Sequence, residues 1–307
     1  MNDVIVKKLL RTVADVDEAP AGAFNFRVNG KSIGRADSAN VSIIPKADGS
    51  GMEVHVKPGT KKETVHIPVA IDGSGITDVV TNEFYIGEGC EDILIVAGCG
   101  IHNSGCQTSR HDGIHTFHIG KNAHIVYKEK HYGSGSEEGG RVLNPVTNIY
   151  LGPGGSFEME SVQIKGVDST NRETTAVLEA ESQLFVTEKL MTHGSQFAKT
   201  AFELDIRGKG AKAQLVSRSV AKENSFQEFV SKITGSNECV GHSECDAIIM
   251  NNAVVRAIPE ITANHVDASL IHEAAIGKIA GEQLIKLMTL GLTEEEAEAQ
   301  IINGFLK

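Results

Sequence analysis

A loose repeat of turn-forming residues is the sequence feature that most constrains the fold of this chain. From about Gly22 to Ala268, short β-rich runs alternate with Gly, Asn and Asp turns. Five segments share one form, an aliphatic residue that leads a Gly-rich or polar turn and then a small residue: Ile86-Gly-Glu-Gly-Cys, Ile119-Gly-Lys-Asn-Ala, Leu151-Gly-Pro-Gly-Gly, Leu178-Glu-Ala-Glu-Ser and Ile206-Arg-Gly-Lys-Gly-Ala. Their starts lie about 27 to 33 residues apart, a spacing typical of solenoids.

The repeat predicts a β-solenoid, because a coil that cannot bury its inward face alone must stack on its neighbours. A β-sandwich is the alternative that the pattern leaves open. Helical periodicity occurs only near the two ends. Val4 to Ala14 carries an apolar stripe, and a second stripe includes Ile276, Ile279 and Leu284. Thr293 and Glu296 then form a capping box that begins a last helix.

Composition excludes several classes of function. The chain has 40 Asp and Glu against 29 Lys and Arg, and its net charge of −11 repels nucleic acid and anionic membranes. No apolar run approaches the ~20 residues of a membrane span. The five cysteines follow a charged N-terminal stretch without the apolar core of a signal peptide, so we expect a cytoplasmic protein with reduced thiols.

The richest chemistry lies between residues 239 and 279. Cys239, His242 and Cys245 fall within seven residues, and His272 and Glu273 follow as an adjacent pair. These are side-chain types that bind iron and its clusters. Three ligands without a second Cys/His pair make a structural zinc knuckle a poor interpretation. In an extended segment, an adjacent imidazole and carboxylate point to opposite faces.

A second stretch, residues 99–131, is rich in histidine. It holds Cys99, Cys106 and six of the twelve histidines: His102, His111, His115, His118, His124 and His131. For most of them a solvated β-face is the simplest interpretation. The chain lacks a GxxxxGK[ST] loop, so we expect it to bind no nucleotide itself.

Several long motifs carry a family resemblance. ECDAIIM, AIPEI and HEAAIGKIAGEQL resemble the C-terminal signature of the SufB/SufD family, scaffold proteins of iron–sulfur cluster assembly. KLMTLGLTEEEAEAQIINGFLK is similar to the helical tail of that family, and the resemblance runs over roughly residues 80–307. It implies a mainly β chain with a right-handed parallel β-helix, and so decides against the sandwich. The expected units are an N-terminal helical cap over 1–21, a β-helix core over 22–270 and a C-terminal helical segment over 271–307.

The resemblance also implies roles for individual residues. GCGIHNSGCQTSRHDGIH aligns Cys99 with a cysteine that moves sulfur through the β-helix. Cys245 matches the family cysteine in ECDAIIM, and with His272 and Glu273 it is expected to hold iron or a transient iron–sulfur cluster. Cys239 and His242 are possible auxiliary residues.

The expected function is that of a scaffold without turnover chemistry, in a minimal single-gene member of the family. Sulfur would arrive as persulfide from a cysteine desulfurase or another donor. An ABC-type ATPase would bind the C-terminal helices, and two copies of the chain would pair through the β-helix as a homodimer. Two other functions remain open from the residues alone. One is a carbohydrate-active β-helix enzyme, which the absence of Trp disfavours, and the other is a structural or metal-binding β-solenoid.

Overall fold

The computed structural model describes residues 4–16, 18–136 and 138–307, and in these residues the chain is mainly β. Residues 1–3 and 17 of the expected cap over 1–21 lie outside the described residues. The elements, in chain order, are α1 Val4–Ala14, β1 Ala23–Val28, β2 Lys31–Ala36, β3 Val41–Pro45, β4 Gly51–Val56, β5 Thr64–Asp72, β6 Thr77–Ile86, β7 Ile93–Asn103, β8 Ser109–Ile119, β9 His124–Gly135, β10 Arg141–Leu143, β11 Val146–Leu151, β12 Ser156–Lys165, β13 Ser169–Leu178, β14 Gln183–Thr192, β15 Phe197–Ile206, β16 Lys212–Ala221, β17 Phe226–Gly235, β18 Cys239–Ile249, β19 Val254–Ala263, β20 Ala268–Gly277, α2 Gly281–Thr289 and α3 Glu294–Phe305.

The strands form two sheets that face each other across the core. One sheet has the order β2-β1-β5-β7-β9-β12-β14-β16-β18-β20, and the other has the order β19-β17-β15-β13-β10-β8-β6-β4-β3, with β11 beside β13 and β8. From β4 onward the chain alternates between the sheets, except that β10 and β11 follow each other in the second sheet, and the described neighbours pair in parallel, about eight turns in all. The predicted parallel β-solenoid, with a short helix before it and two helices after it, is therefore confirmed.

The sequence repeat corresponds to one corner of each coil. The residue just before the small residue has a positive φ at Gly89, Asn122, Gly154, Glu181 and Gly210. The small residue that follows is then buried at this corner, as at Cys90, Ala123, Ser182 and Ala211. The chain can turn tightly there because a small side chain leaves room for the coil above and the coil below.

The two ends of the solenoid differ in how they are covered. Helix α1 packs its buried residues Leu9 and Leu10 on the outside of the first sheet, where Leu9 occupies the space that Gly100 leaves. At the other end, Ile302 and Leu306 of the C-terminal helical segment pack with Val220. The last two strands, β19 and β20, are largely exposed.

The boundary between the solenoid and the helical segment lies later than the sequence indicated. The expected core ended at residue 270 with a helical stripe from Ile276, whereas β20 continues to Gly277 and α2 begins only at Gly281. Ile276 is a strand residue in register with Ala247 of β18. Ile276 and Ile279 have the three-residue spacing of a helix face, but Ile276 belongs to β20 and Ile279 follows the end of that strand. The capping box of Thr293 and Glu296 is present as predicted.

One glycine in the strand of Cys99 tests how tightly neighbouring coils fit. Gly98 has a φ of +142°, and an added Cβ would lie 2.1 Å from the Lys130 carbonyl oxygen of the next coil. Gly98→Ala should therefore destabilise the fold by at least about 2 kcal/mol, through strained backbone and a forced shift of β9. Thermal unfolding monitored by circular dichroism measures the effect.

Gly304→Ala is the matched control, because an added Cβ there meets nothing within 4 Å on a helix. It should raise stability by up to about 1 kcal/mol. Equal melting temperatures for Gly98→Ala and the wild type would contradict the close packing of β7 on β9.

Candidate functional site

Two neighbouring columns of inward-facing residues run along the first sheet, one ending near each cysteine of interest. Strand pairing places Cys99 directly beside His131, which in turn lies beside Gln163. The adjacent column, two residues back along each strand, contains Glu129, Ser161, Glu188, Ser217 and Cys245 in successive coils. Cys99 and Cys245 are five strands apart in the sheet, a separation of about 24 Å at the usual strand spacing.

A buried ion network occupies the middle of this interior. The Arg172 guanidinium projects from the second sheet, donates through Nη1 to Glu129 Oε2 and lies 3.8 Å from Glu188 Oε1. Thr200 and Ser217 donate their hydroxyl protons to the two oxygens of Glu188, at 2.8 and 2.7 Å. Ser217 is the neighbour of Cys245 in register, so polar groups joined by hydrogen bonds and by the ion pair of Arg172 with Glu188 extend from Glu129 to the position beside Cys245.

The charges in this network keep its acid ionised although it is buried. Burial alone would raise the pKa of Glu129, but the positive charge of Arg172, more than the neighbouring imidazoles of His131 and His115, holds that pKa well below its usual range. Tyr127 also donates its hydroxyl proton to Glu129, at 2.9 Å. The interior of the solenoid therefore contains a fixed carboxylate and guanidinium in a setting that excludes bulk water.

Some buried hydroxyls nearby have hydrogen-bonding capacity to spare. In the described part of the chain, the side-chain oxygens of Ser161, Thr147 and Thr174 are buried without a hydrogen-bond partner. Ser161 lies between Glu129 and Glu188 in the column, and Thr147 and Thr174 are neighbours in the second sheet. Unsatisfied buried polar atoms are costly, so such a group is compatible with a small polar guest.

Cys99 lies at the N-terminal end of this interior and is fully buried. Burial raises the pKa of its thiol well above the ordinary value, and the negative charges of Asp78 and Glu129 add to the effect. A small cavity beside it is also lined by His111, His115 and His131.

The histidine-rich stretch divides evenly between the two faces of its strands. His111, His115 and His131 are buried in the interior, and His102, His118 and His124 lie toward the surface. The sequence suggested that most of the six line a solvated face, but three of them are buried in the interior. Alternate residues of each strand face the interior, and the three buried histidines occupy the same alternate positions as the buried apolar residues of their strands.

Cys245 lies at the other end, one strand from the edge of the sheet. Its thiol is buried, and burial, with the negative charges of Glu188 and Asp246, raises its pKa to about 12. Cys239 is buried on the same face of β18, and burial also raises the pKa of its thiol. His242 points to the opposite face, so the sequence Cys239-x2-His242-x2-Cys245 does not converge on a common point.

The pair His272 and Glu273 separates as the sequence predicts. His272 faces inward, where its Nδ1 lies 3.3 Å from the Ser243 hydroxyl oxygen. Burial, and then the charge of His242, lowers the pKa of His272. Glu273 faces outward and is exposed, with one oxygen 3.6 Å from His242 Nε2.

Within one chain the expected ligands therefore meet only in part. Cys245 and His272 share the inward face of adjacent strands, two positions apart, because Cys245 pairs with Ala274 and His272 with Ser243. Glu273 lies on the other face. Among the residues that the structure describes, no three His, Cys, Asp or Glu side chains are arranged to hold a metal ion.

Sequence reasoning missed the residues that join the two cysteines: Arg172, Glu129 and Glu188. A signal for two of them exists in the alternation of β9 and β14. In β9, Ile125 and Tyr127 mark the inward phase, and Glu129 and His131 continue it; in β14, Leu184 and Val186 do the same for Glu188. Charged residues on the buried phase of a strand indicate a partnered interior network.

The last coil and the C-terminal helices leave apolar side chains exposed. Ile258, Ile261 and Ile271 lie on β19 and β20, the edge strands at this end of the two sheets. In α2 no residue is buried, and Ile285 and Met288 are exposed. No helix in the described ranges is long and apolar enough to cross a membrane.

Comparison with known proteins gives a consistent result. The family model described as "SUF system FeS cluster assembly, SufBD core domain" matches residues 96–305. A protein of Archaeoglobus fulgidus called an iron-sulfur cluster assembly SufBD family protein is 27% identical over 301 residues, which cover 98% of this chain and 73% of that protein. A protein of the same description from Methanocaldococcus jannaschii is 27% identical over 83% of this chain and 80% of its own length.

A third relative, from Methanothermobacter thermautotrophicus, has the same description and is 26% identical over 86% of this chain. The matched region spans 65% of that protein, so this chain corresponds to a little under two thirds of its length.

Two buried imidazoles predict an acid-sensitive fold. Burial, more than any nearby charge, lowers the pKa of both His115 and His131 from 6.5 to about 4. On acidification these histidines take up protons in the unfolded chain before they do so in the folded protein. The free energy of unfolding is therefore unaffected by them above pH 6.5 and decreases as the pH falls toward 4. A shift of this size corresponds to about 3 kcal/mol for each group.

The melting temperature should therefore fall steeply between pH 6.5 and 4.5, and His131→Gln should flatten that fall. His124→Gln, at an exposed position of the same strand, is the control and should leave the slope unchanged. A pH-independent melting temperature across this range would show that the imidazoles are not held neutral by burial.

Proposed function

Because the chain belongs to the SufBD family of the SUF system for iron–sulfur cluster assembly, we propose that it is a scaffold on which sulfur and iron are assembled into a nascent cluster. The observation that carries this proposal is the polar interior between Cys99 and Cys245. A solenoid core of this kind is ordinarily filled by stacked apolar side chains. Here, charged and hydroxyl groups occupy the columns that connect the two thiols.

In this proposal Cys99 takes up sulfur as a persulfide from a cysteine desulfurase or another donor. Two thiols of an external donor then reduce this persulfide: the S–S bond at Cys99 breaks, the Cys99 thiol is restored, hydrosulfide is released and the two donor thiols become a disulfide. The hydrosulfide anion travels along the interior toward Cys245. The Arg172 guanidinium supplies positive charge halfway along the path, and the unpartnered hydroxyls of Ser161, Thr147 and Thr174 can donate hydrogen bonds to an anion. Exclusion of bulk water protects the sulfur from side reactions.

Cys245 is the thiol that we assign to the cluster itself. The high pKa keeps Cys245 a thiol in the empty protein, and the thiol loses its proton when iron binds. His272, on the same inward face one strand away, is the second ligand of this proposal. Cys239 lies on the same face as Cys245, but about 20 Å away along β18, and is auxiliary.

Glu273 and His242 enter this proposal through a second copy of the chain. The last coil leaves the edges of both sheets and several isoleucines exposed, and such edges pair readily. A symmetric homodimer that pairs this end with itself would bring the outward face of one chain toward the open end of the other. The cluster would then be held at the seam between the copies.

The energy for assembly or release comes, in this proposal, from an ABC-type ATPase bound to the C-terminal helices. Helix α3 is attached to the solenoid through Ile302 and Leu306. Helix α2 leaves its apolar side chains Ile285 and Met288 exposed, and it suits a helix-groove contact.

Replacing the proposed cluster thiol tests the central assignment. Cys245→Ser should fold, because placing a hydroxyl at this buried site costs about 1–3 kcal/mol. It should fail to form the brown chromophore near 400 nm that anaerobic reconstitution with iron and sulfide gives the wild type. Cys90→Ser, at a buried corner far from the polar interior, is the matched control and should retain the chromophore.

A normal reconstitution spectrum for Cys245→Ser would overturn the assignment. Mixed dimers locate the site further. A Cys245→Ser chain paired with a His272→Ala, Glu273→Ala chain should keep one intact site if the ligands come from two chains. If such mixed dimers form no cluster, whereas dimers of a wild-type and a triply substituted chain do, the ligands come from one chain.

The exposed face of α2 gives a separate test of the ATPase contact. Ile285→Glu places a charge in the proposed contact and should abolish co-purification with a co-expressed ABC-type ATPase subunit. Gln283→Glu adds the same charge at another exposed position of the helix and should leave the complex intact. The expected loss of affinity is at least tenfold, since a buried unpaired charge costs several kcal/mol. An unchanged complex on size-exclusion chromatography would rule out this surface.

A further inference from the structure

The cavity beside Cys99 is small and chemically specific. The centre of a water-sized sphere can occupy about 10 Å³ within it, so the cavity has room for one atom or molecule about as large as water. Its polar walls are the side chains of Cys99, His111, His115, Glu129 and His131. Three imidazoles thus surround one small space next to a buried thiol, and the hydrogen bonds of each imidazole determine what it can do there.

His115 has both ring nitrogens engaged. The Tyr127 hydroxyl donates its proton to Glu129, so it must accept from His115 Nδ1–H, at 2.8 Å. His115 Nε2 then carries the lone pair, and the Asn82 amide donates to it at 3.3 Å. The Asn82 orientation is consistent, because its Oδ1 accepts from the Met52 backbone N–H.

His131 is engaged as well. The Arg172 guanidinium can only donate, so its Nη2 donates to the lone pair of His131 Nδ1, at 3.1 Å. The proton of neutral His131 therefore resides on Nε2, which lies 3.7 Å from the Glu129 carboxylate. Neither His115 nor His131 has a basic nitrogen left for the cavity.

His111 differs from both. Its Nδ1 lies 3.0 Å from the Asp78 carboxylate, which Arg27 holds through two nitrogens at 2.6 to 3.1 Å. An ionised carboxylate only accepts, so the proton is on Nδ1 and the lone pair is on Nε2. That nitrogen lies over Gly113 in the cavity wall, 3.2 Å from where a Cβ would be. No hydrogen bond within the described residues engages it.

We infer that His111, oriented by Asp78, accepts the proton of the Cys99 thiol when Cys99 takes up a sulfane sulfur. The inference rests on the sulfur-accepting role proposed above and adds a base to it. One nitrogen of His111 is fixed by a buried carboxylate, and the imidazole lines the same small cavity as the Cys99 thiol. A base oriented in this way beside a nucleophile activates thiols and hydroxyls in many unrelated sites.

The step balances without any further reactant than a persulfide donor. The Cys99 Sγ–H proton moves to His111 Nε2, and the thiolate electron pair attacks the outer sulfur of the donor. A new S–S bond forms at Cys99 as the S–S bond of the donor breaks. The donor leaves as a thiolate, which takes the proton from His111. The sulfane sulfur only changes partner, so no net oxidation occurs.

The site needs such a base because Cys99 is otherwise a poor nucleophile. Burial and the charges of Asp78 and Glu129 keep it a thiol, and the thiolate is the form that attacks. Asp78 opposes the thiolate but stabilises the imidazolium that forms when the proton is transferred. The cavity has room for the one sulfur atom that the reaction adds.

The test measures persulfide formation at Cys99 in the full chain with sodium disulfide as the donor. Protein is treated anaerobically between pH 6 and 9, alkylated in denaturant and digested, and the Cys99 peptide is quantified by mass spectrometry. His111→Asn keeps a donor to Asp78 but lacks Nε2, and it should slow the reaction about a hundredfold at pH 7. The deficit should shrink as the pH rises, because the small fraction of thiolate that forms without a base increases about tenfold for each pH unit below the raised pKa of the thiol.

His115→Asn is the matched control, since it lines the same cavity and keeps a donor to Tyr127. Its rate should stay within about threefold of the wild-type rate at every pH, because both ring nitrogens of His115 are already hydrogen-bonded in the wild type and neither is available as a base. Comparison at equal pH removes the titration of the donor itself. Gly113→Ala gives a second variant that retains every titratable group. Its methyl would displace His111 Nε2, so it should also slow the reaction.

The outcomes separate the two proposals. A wild-type protein that forms no persulfide at Cys99 overturns the sulfur-accepting role and this inference with it. If the wild type reacts and His111→Asn matches its rate and pH profile, the inference alone is overturned. An equal loss in His115→Asn also overturns it. If His111→Asn does not fold, as judged by circular dichroism, an unchanged rate in Gly113→Ala decides against His111.

Discussion

Parallel pairing with a constant register is the constraint on which the rest of this structure depends. In most of the coils each inward position lies directly beside the same position of the next coil, as in the ten consecutive pairs of β16 with β18. Apolar positions therefore form continuous columns, such as Ile125, Phe157, Leu184 and Ala213. A polar residue placed on the inward phase cannot turn to solvent, so any side-chain partner that it has lies on its own strand, in an adjacent coil or across the core.

The polar columns follow from the same constraint, and stability does not explain them. A buried arginine between two carboxylates gains hydrogen bonds but loses hydration, and apolar replacements of such groups are often neutral or stabilising. Removing one member alone is costly, since it leaves Glu129 or Glu188 as an unpaired buried charge. A buried network of this kind is costly to disrupt and is often no more stabilising than apolar packing, so a functional role is the better explanation for it. Its position between Cys99 and Cys245 supports the sulfur path that we propose.

Much of the fold was predictable from local chemistry. A residue with positive φ followed by a small one recurs at each corner, because the corner geometry needs both, and this made the solenoid visible in the sequence. The capping box at Thr293 was predictable for the same local reason. The end of β20 was not, because Ile276 and Ile279 fit either periodicity and only pairing with β18 distinguishes them.

The faces of the candidate site residues were predictable from the sequence, but their connections were not. Adjacency alone separates His272 from Glu273 onto opposite faces. Arg172 and Asp78 could not be assigned from sequence, because their partners Glu129 and His111 are distant along the chain and meet them only through the stacking of coils.

The two thiols differ in their surroundings in a way that suits two different tasks. Cys99 lies several coils from the exposed end, beneath a strand that α1 covers, and its cavity admits only a water-sized guest. Cys245 has a single further strand, β20, between it and the end of its sheet. A sulfur atom needs a dry, enclosed route because it is small and reactive, whereas a cluster needs space and an exit. In the function that we propose, depth separates the two tasks, since distance from the exposed end of the solenoid sets how much protein covers each coil.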